Sequence, residues 1–153
     1  MRRLTMAVIG LGILLLSSGP AFSQACTSPG SIVSVKNTRI GNREYVIFNL
    51  KKPTSATYTV TTETGPFVED PSENPVTVAG SKFKMIRFQG VFWTCSINEI
   101  FSLPKPIIKD IKSTSQFEGT IEYVIGYRNP PPKYITTYTY DVLSIRKVVM
   151  MFK

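Results

Sequence analysis

The sequence predicts an all-β fold, a single-domain antiparallel β-sandwich of about eight strands. Three observations favour this class. Short runs rich in β-branched and aromatic residues recur along the chain, glycine- and proline-containing turn signals separate them, and no convincing long amphipathic helical pattern is present. A chain of many short strands joined by such turns is typical of a sandwich.

The first half of the chain predicts a hairpin, a third strand and a loop. Ser31–Thr38 and Arg43–Leu50 carry strand patterns on either side of the turn signal Ile40–Asn42. Arg43–Leu50 is apolar on both faces, which is typical of a central strand. Thr57–Thr62 is a further β-rich run, and the proline-rich segment Gly65–Pro75 is expected to be a loop.

The second half predicts strands separated by irregular stretches. Gly90–Pro106 is expected to be irregular, with a short helical turn around Ile97–Phe101. Ser113–Gln116 is expected to turn the chain, and the prolines of Asn129–Pro132 are expected to reverse it stiffly. The predicted strands are Val76–Ala79, Ser81–Gln89, Ile107–Lys112, Gly119–Tyr127, Tyr134–Asp141 and Leu143–Phe152.

The first 23 residues are expected to be a signal peptide. Two arginines precede the uncharged apolar stretch Ala7–Leu16, and Ala21 and Ser23 are small residues at the spacing of a cleavage site before Gln24. The stretch is about half as long as a bilayer-spanning helix, which makes a retained anchor the weaker alternative. The remaining chain, 24–153, is therefore expected to be periplasmic or extracellular and to contain no transmembrane segment.

The charge balance is basic but dispersed. Without Arg2 and Arg3, the 18 basic residues fall to 16 against 10 acidic ones, a net charge of +6. A nucleic-acid interface normally concentrates its cations on one face, so no nucleic-acid partner is expected. Solubility explains the surplus, and attraction to anionic envelope material is the functional alternative.

Two cysteines remain after export, Cys26 and Cys95. An even number in an oxidising compartment predicts one disulfide, which would close a loop of about 70 residues. Two thiols that never meet are the alternative, because sequence does not fix their separation. No Cys-x-x-Cys redox motif is present.

The sequence offers little material for catalysis. It contains no histidine, which excludes Ser-His-Asp and Cys-His arrangements and ordinary His-containing zinc sites. It also lacks the glycine motifs that bind phosphates or dinucleotides. No catalytic residue, metal or cofactor is therefore expected.

Carboxylates are the remaining acid–base candidates. Glu118 and Glu122 would lie roughly 13 Å apart at Cα on a regular strand, farther than the about 5–9.5 Å between the carboxyls of a glycosidase pair. They are expected to be solvent-exposed strand carboxylates. Glu69, Asp70 and Glu73 lack the spacing of an EF-hand loop and are expected to form a solvated acidic loop.

Aromatic residues are the stronger binding candidates. Tyr134, Tyr138 and Tyr140 fall on one face of a predicted strand, and Phe92 and Trp93 adjoin Cys95 in an irregular stretch. Tyrosine and tryptophan are enriched in binding surfaces, and sugar rings stack on exposed aromatic faces. The alternatives are that these residues fill the core, or that Trp93 packs on the disulfide.

Three segments resemble a known family. Ile32–Leu50 is similar to an opening hairpin, Gln116–Tyr127 to an "FEG…GLG" segment, and Leu143–Phe152 to a closing strand of the form P-x-R-(hydrophobic)-V-D. Together they resemble the AMIN-like domain proteins of bacteria, relatives of the amidase N-terminal (AMIN) domain. The resemblance covers nearly all of residues 24–153.

The resemblance implies a secreted or periplasmic β-sandwich without catalytic machinery. The sequence departs from the family pattern at Arg43-Glu44, where aspartate-arginine is expected, at Ser144 in place of proline, and at Met151 near an expected aspartate. AMIN domains are linked to envelope targeting and peptidoglycan association, so the resemblance implies a related role less directly than it implies the fold.

Three hypotheses for function follow. The first is a non-catalytic envelope-associated binding module for peptidoglycan, another envelope polymer or a protein. The second is a small secreted inhibitor or protein-interaction module that acts through the segment 90–106. The third, a hydrolase that uses Glu118, has the least support from the sequence.

Overall fold

The computed structural model describes residues 24–128 and 133–153. These residues form strands and irregular connections without a helix, which confirms the all-β class. The predicted signal peptide and the predicted reversal at Asn129–Pro132 lie outside the described residues.

The described residues contain eleven strands. The eight longer ones follow the predicted pattern of alternating or continuous apolar residues, and three strands of three residues each are additional to it. In chain order they are β1 (Ile32–Ile40), β2 (Arg43–Lys51), β3 (Thr57–Glu63), β4 (Phe67–Glu69), β5 (Asn74–Val76), β6 (Lys82–Gln89), β7 (Asn98–Ile100), β8 (Ile108–Phe117), β9 (Thr120–Tyr127), β10 (Tyr134–Val142) and β11 (Ile145–Phe152).

The strands form three sheets. A five-stranded sheet has the order β10-β11-β2-β1-β7, a four-stranded sheet has the order β3-β6-β9-β8, and β4 pairs with β5 in a two-stranded ribbon. All pairs of neighbouring strands are antiparallel except β1 and β7, which are parallel. The sheets are therefore mostly, not entirely, antiparallel, and β2 is a central strand as predicted.

One apolar core joins the two larger sheets. Val46, Phe48 and Leu50 alternate along β2 and are buried, as their period of two requires. The Phe48 ring lies 5.0 Å from the Phe88 ring of β6 and 5.4 Å from the Tyr123 ring of β9. Burial of each such side chain contributes about 1.5–3 kcal/mol, so these contacts between sheets fix their relative position.

A buried carboxyl group also connects the sheets. Glu44 lies on the inner face of β2 and is fully buried. Its Oε2 accepts hydrogen bonds from the backbone N–H of Ile108 at 2.7 Å and of Ile107 at 3.2 Å. Because these N–H groups lie where β8 begins, Glu44 holds the start of β8 against the five-stranded sheet.

Several local predictions are wrong. The predicted loop Gly65–Pro75 contains β4 and the first two residues of β5, and Thr77–Ala79 is not a strand. The predicted helical turn at Ile97–Phe101 is replaced by β7, which pairs with β1. Ser113–Gln116 does not turn the chain, because it continues β8 alongside β9.

The turn between β8 and β9 depends on the backbone conformation of a glycine. Glu118 and Gly119 have φ values of 46° and 77°, the left-handed region that a tight hairpin turn requires. An added Cβ on Gly119 would meet no atom closer than the Val91 carbonyl oxygen at 3.8 Å. Another segment does cross here, since the Val91 N–H donates to the Gly119 carbonyl at 3.2 Å. Backbone conformation, not lack of space, therefore favours glycine.

Gly119→Val should lower the free energy of unfolding by about 1–2 kcal/mol, because a β-branched residue is strained at this φ. Glu118→Gln should change it by less than about 0.5 kcal/mol, because the side chain is exposed. Chemical denaturation of the two variants checks the difference. Equal free energies of unfolding for the two variants would contradict this role for Gly119.

Candidate functional site

The three predicted tyrosines do not share one face. A register shift between Tyr134 and Thr136 turns the first residue of β10 inward. Tyr134 packs against Phe152 of the core, with 5.7 Å between ring centroids, and the Lys84 ammonium lies 4.8 Å from its ring centroid. The prediction of a common face is therefore wrong for Tyr134, because a β-bulge breaks the alternation.

Tyr138 and Tyr140 project from the outer face of the five-stranded sheet. They are 41 % and 43 % exposed, and their rings are nearly parallel, with an interplanar angle of 18° and centroids 6.1 Å apart. Their separation is close to the roughly 6.6–6.8 Å repeat of alternate strand residues. The pair therefore presents continuous aromatic surface along β10.

Neighbouring strands extend this surface. The Lys147 ammonium of β11 lies 5.8 Å from the Tyr140 ring centroid. Tyr45 of β2 lies on the same outer face, because its neighbours Glu44 and Val46 point into the core. Burial, then the charges that Tyr140 and Tyr45 would carry, raise the pKa of Tyr138. We call Tyr45, Tyr138, Tyr140 and Lys147 the tyrosine face. It combines aromatic rings with a cation.

A shallow depression of about 370 Å³ adjoins the tyrosine face. Its lining includes Ser34, Asn49 and Lys147, and it extends to Leu143 and Ser144 of the β10–β11 turn. The Asn49 amide nitrogen donates to the Ser34 hydroxyl at 2.8 Å, but its Oδ1 is buried and has no hydrogen-bond partner in the structure. Exchanging the two ends of the amide would still leave one polar atom unpaired. Because this oxygen has almost no accessible surface, it is an unpaired internal acceptor and not a contact point for a ligand in the depression.

Phe92 and Trp93 have different environments. Phe92 is 44 % exposed, whereas Trp93 is half-buried and packs edge-on against Phe117 with 5.5 Å between centroids. The Gln116 amide donates to the Trp93 carbonyl at 2.6 Å and also to the Cys95 carbonyl. Of this predicted pair, Phe92 alone therefore offers a largely exposed ring.

The segment 90–106 is also fixed through β7. The Tyr123 hydroxyl donates to the Glu99 carboxylate at 2.6 Å. Burial, followed by this contact with Glu99, raises the pKa of Tyr123 far above its ordinary value, so the phenol remains a protonated donor. A core residue of β9 thus anchors the short strand β7.

The predicted disulfide is present between Cys26 and Cys95. Both residues are buried, and the Cys26 N–H donates to the Ser96 carbonyl at 3.0 Å. A disulfide-bonded pair is consistent with an oxidising, exported compartment.

The candidate carboxylates lie in separate environments. Glu118 is exposed in the β8–β9 turn, whereas Glu122 is buried and forms an ion pair with Arg87. The prediction that Glu122 is solvent-exposed is therefore wrong, because β9 is buried on both faces. The Thr114 hydroxyl also donates to Glu122, at 3.4 Å.

The acidic residues of the β4–β5 ribbon are held by serines. The Ser72 hydroxyl donates to Glu69 at 2.7 Å, and the Ser115 hydroxyl donates to Asp70 at 3.2 Å. Within residues 24–128 and 133–153, no group of three or more acidic, cysteine or histidine side chains is arranged to hold a metal ion.

Comparison with known proteins finds no matching family model, curated protein or solved structure. In the described part of the chain, no helix has the length and apolar character needed to cross a bilayer. The fold and site define a disulfide-linked all-β domain with an exposed aromatic and cationic sheet face.

Proposed function

We propose that this protein is a non-catalytic, exported binding domain of the cell envelope that recognises a cell-wall glycan through its tyrosine face. The main support for the proposal is the set of side chains next to Tyr140. Tyr140 pairs with Lys147 across β10 and β11, and Lys147 pairs with Asn49 across β11 and β2. An exposed ring, a cation and a half-buried polar side chain therefore lie in one row.

A sugar matches this set of groups. Its apolar ring face packs on tyrosine, and its hydroxyls can exchange hydrogen bonds with the exposed phenol groups of Tyr138 and Tyr140. The volume of the depression lies within the about 300–1,000 Å³ of small-molecule sites, enough for part of a polymer. Lys147 adds attraction to carboxylates or phosphates on peptidoglycan or another envelope polymer.

We also propose the finer architecture and the family. The two larger sheets, whose inner faces share one core, support a β-sandwich. The likeness of three segments to AMIN-like domains supports an envelope role, with no catalytic residues or cofactor. Export through the predicted signal peptide 1–23 belongs to the same proposal, and the disulfide supports it.

Tyr140→Ala should weaken retention of the protein on purified cell walls about tenfold, because a stacked aromatic contact contributes about 1–2 kcal/mol. Sedimentation of the protein with cell walls at low salt measures this. Phe92→Ala is the matched control, since it removes an equally exposed ring from another part of the surface. Failure of the unaltered protein to bind at low salt would refute the glycan proposal.

The exposed ring of Phe92 favours a second candidate, an inhibitor or interaction module acting through the segment 90–106. This candidate predicts the reverse result. Phe92→Ala would then abolish co-purification of a protein partner, and Tyr140→Ala would leave that partner bound.

A further inference from the structure

The turn between β10 and β11 carries an unusually exposed apolar residue. Val142 pairs with Ile145, so Leu143 and Ser144 form a two-residue turn. Leu143 is 92 % exposed, the highest value among the large exposed hydrophobic residues of the described chain. It packs against little else, so it gains almost nothing from folding.

Backbone conformation also disfavours leucine at this position. Leu143 has a φ of 53°, in the left-handed region that favours glycine or asparagine. The β1–β2 and β8–β9 turns place glycine at positive φ, at Gly41 and Gly119, and the non-glycine residues at positive φ elsewhere, Glu73 and Glu118, are polar. Neither burial nor turn geometry accounts for Leu143, and a strained, exposed apolar residue of this kind suggests a functional contact.

Basic residues surround this turn on both faces of the sheet. The Lys51 ammonium donates to the Ser144 hydroxyl at 3.3 Å. Lys52 and Arg146 both pair with Asp141, at 3.0 Å and 3.2 Å. Two cations therefore share one carboxylate while Lys51 contacts only a hydroxyl, so these groups around Leu143 carry a net positive charge. We call Leu143, Lys51, Lys52 and Arg146 the basic tip.

A second exposed apolar residue lies at the same end. The Gly30 N–H donates to the Lys51 carbonyl at 2.9 Å, and the Phe92 N–H donates to the Gly30 carbonyl at 3.1 Å. These two bonds connect the backbone beside the basic tip to that of Phe92, which is itself exposed. The apolar and cationic groups thus belong to one end of the fold.

We propose that the basic tip docks on the surface of an anionic lipid bilayer, with Leu143 inserted at the boundary between headgroups and acyl chains. Each lysine or arginine near such a surface contributes to binding, and an inserted apolar side chain adds its transfer free energy. Leu143 also borders the depression beside the tyrosine face, but this proposal rests on the turn and its cations and not on glycan binding.

The shape and charge of the tip favour a lipid surface over a protein partner. Leu143 protrudes from a convex turn, whereas the energetically dominant contacts of protein interfaces cluster in packed, water-excluded regions. A fluid bilayer accepts a single protruding side chain without a matching pocket. Its anionic headgroups complement Lys51, Lys52 and Arg146.

Co-sedimentation with lipid vesicles tests the proposal with the purified, disulfide-bonded protein. We expect binding to vesicles of phosphatidylglycerol and phosphatidylcholine in equal parts, and little binding to phosphatidylcholine alone. Leu143→Asn should lower the partition coefficient about tenfold, because it removes the inserted side chain. Its melting temperature should be unchanged or higher, since asparagine tolerates a positive φ.

Ile40→Asn is the matched control. Ile40 is 68 % exposed beside the β1–β2 turn, at the opposite end of the five-stranded sheet and near Arg39 and Arg43. Ile40→Asn should keep the vesicle affinity of the unaltered protein. The double variant Lys51→Gln, Lys52→Gln should bind vesicles more weakly, and its binding should depend less on salt concentration.

Three results would overturn the proposal. The first is equal binding of the unaltered protein to neutral and anionic vesicles. The second is undiminished vesicle binding by Leu143→Asn, and the third is a loss of vesicle binding in Ile40→Asn as large as that in Leu143→Asn. A protein partner lost on Leu143→Asn, without vesicle binding by the unaltered protein, would assign the tip to a protein interface instead. Tyr140→Ala should leave vesicle binding intact, so failure of the glycan proposal would not affect this test.

Discussion

Glu44→Ala is expected to lower the free energy of unfolding by about 4 kcal/mol, because it leaves buried backbone donors without an acceptor and opens a cavity. The N–H groups of Ile107 and Ile108 lose their shared carboxylate. The fully buried side chain leaves space that the surrounding core cannot refill without shifting. Urea denaturation of the variant and the unaltered protein measures the difference.

Glu118→Ala is the control for this prediction. It removes the same side chain from an exposed turn and should change stability by less than about 0.5 kcal/mol. Glu44→Gln should fall between the two, because its amide retains one carbonyl oxygen as an acceptor. A loss below about 1 kcal/mol in Glu44→Ala would show that water or another group replaces the carboxylate.

Local pattern was sufficient to predict the first hairpin. β1 and β2 begin and end within two residues of the predicted strands, and the turn lies at Gly41–Asn42 as expected. Alternation of Val46, Phe48 and Leu50 correctly indicated an inner face. These features depend on near neighbours in the sequence, which is why they can be predicted from it.

Features that depend on distant partners were not predicted. Thr114 and Ser115 look like turn residues, but β8 continues through them because it pairs with β9, and Glu122 and Asp70 accept hydrogen bonds from their hydroxyls. The strand β7 depends on parallel pairing with β1, and its three residues carry no pattern of their own. Pro75 is tolerated in β5 because that strand has only one neighbour in its ribbon.

Gly126 is a further example. The sequence placed it in a strand without any special role. An added Cβ would lie closer to the Ala79 carbonyl oxygen than van der Waals contact permits. The approach of Ala79 to the outer face of β9 requires glycine here, and nothing within β9 itself indicates that approach.

The candidate site could be predicted only in part. Tyr138 and Tyr140 were found because they are aromatic residues at alternate positions of one strand. Tyr45 and Asn49 were missed because they join the site through the pairing of β2 with β11, strands almost a hundred residues apart. The sequence does show that Tyr45 is an aromatic residue in β2. Because β2 looks apolar on both faces, that pattern predicts burial of Tyr45 and not a place in a binding site.

The disulfide is expected to be one of the two largest single contributions to stability. Replacing Cys26 and Cys95 together with alanine should lower the free energy of unfolding by about 4 kcal/mol, because the bond constrains a long loop of the unfolded chain. The two cysteines are 69 residues apart, and β1 to β6 lie between them. In thermal denaturation the loss corresponds to a melting temperature about 15 °C lower.

A reducing agent separates this effect from the change in packing at the two sites. Reductant should lower the melting temperature of the unaltered protein nearly to that of the double variant, and it should leave the double variant unchanged. Two backbone hydrogen bonds, Cys26 N–H to Ser96 and Ser96 N–H to Gln24, hold the same segments together without the disulfide. These bonds and the β1–β7 pairing could be sufficient to hold the two segments together without the disulfide. Reductant would then have no effect on the melting temperature, and the predicted role of the disulfide would be wrong.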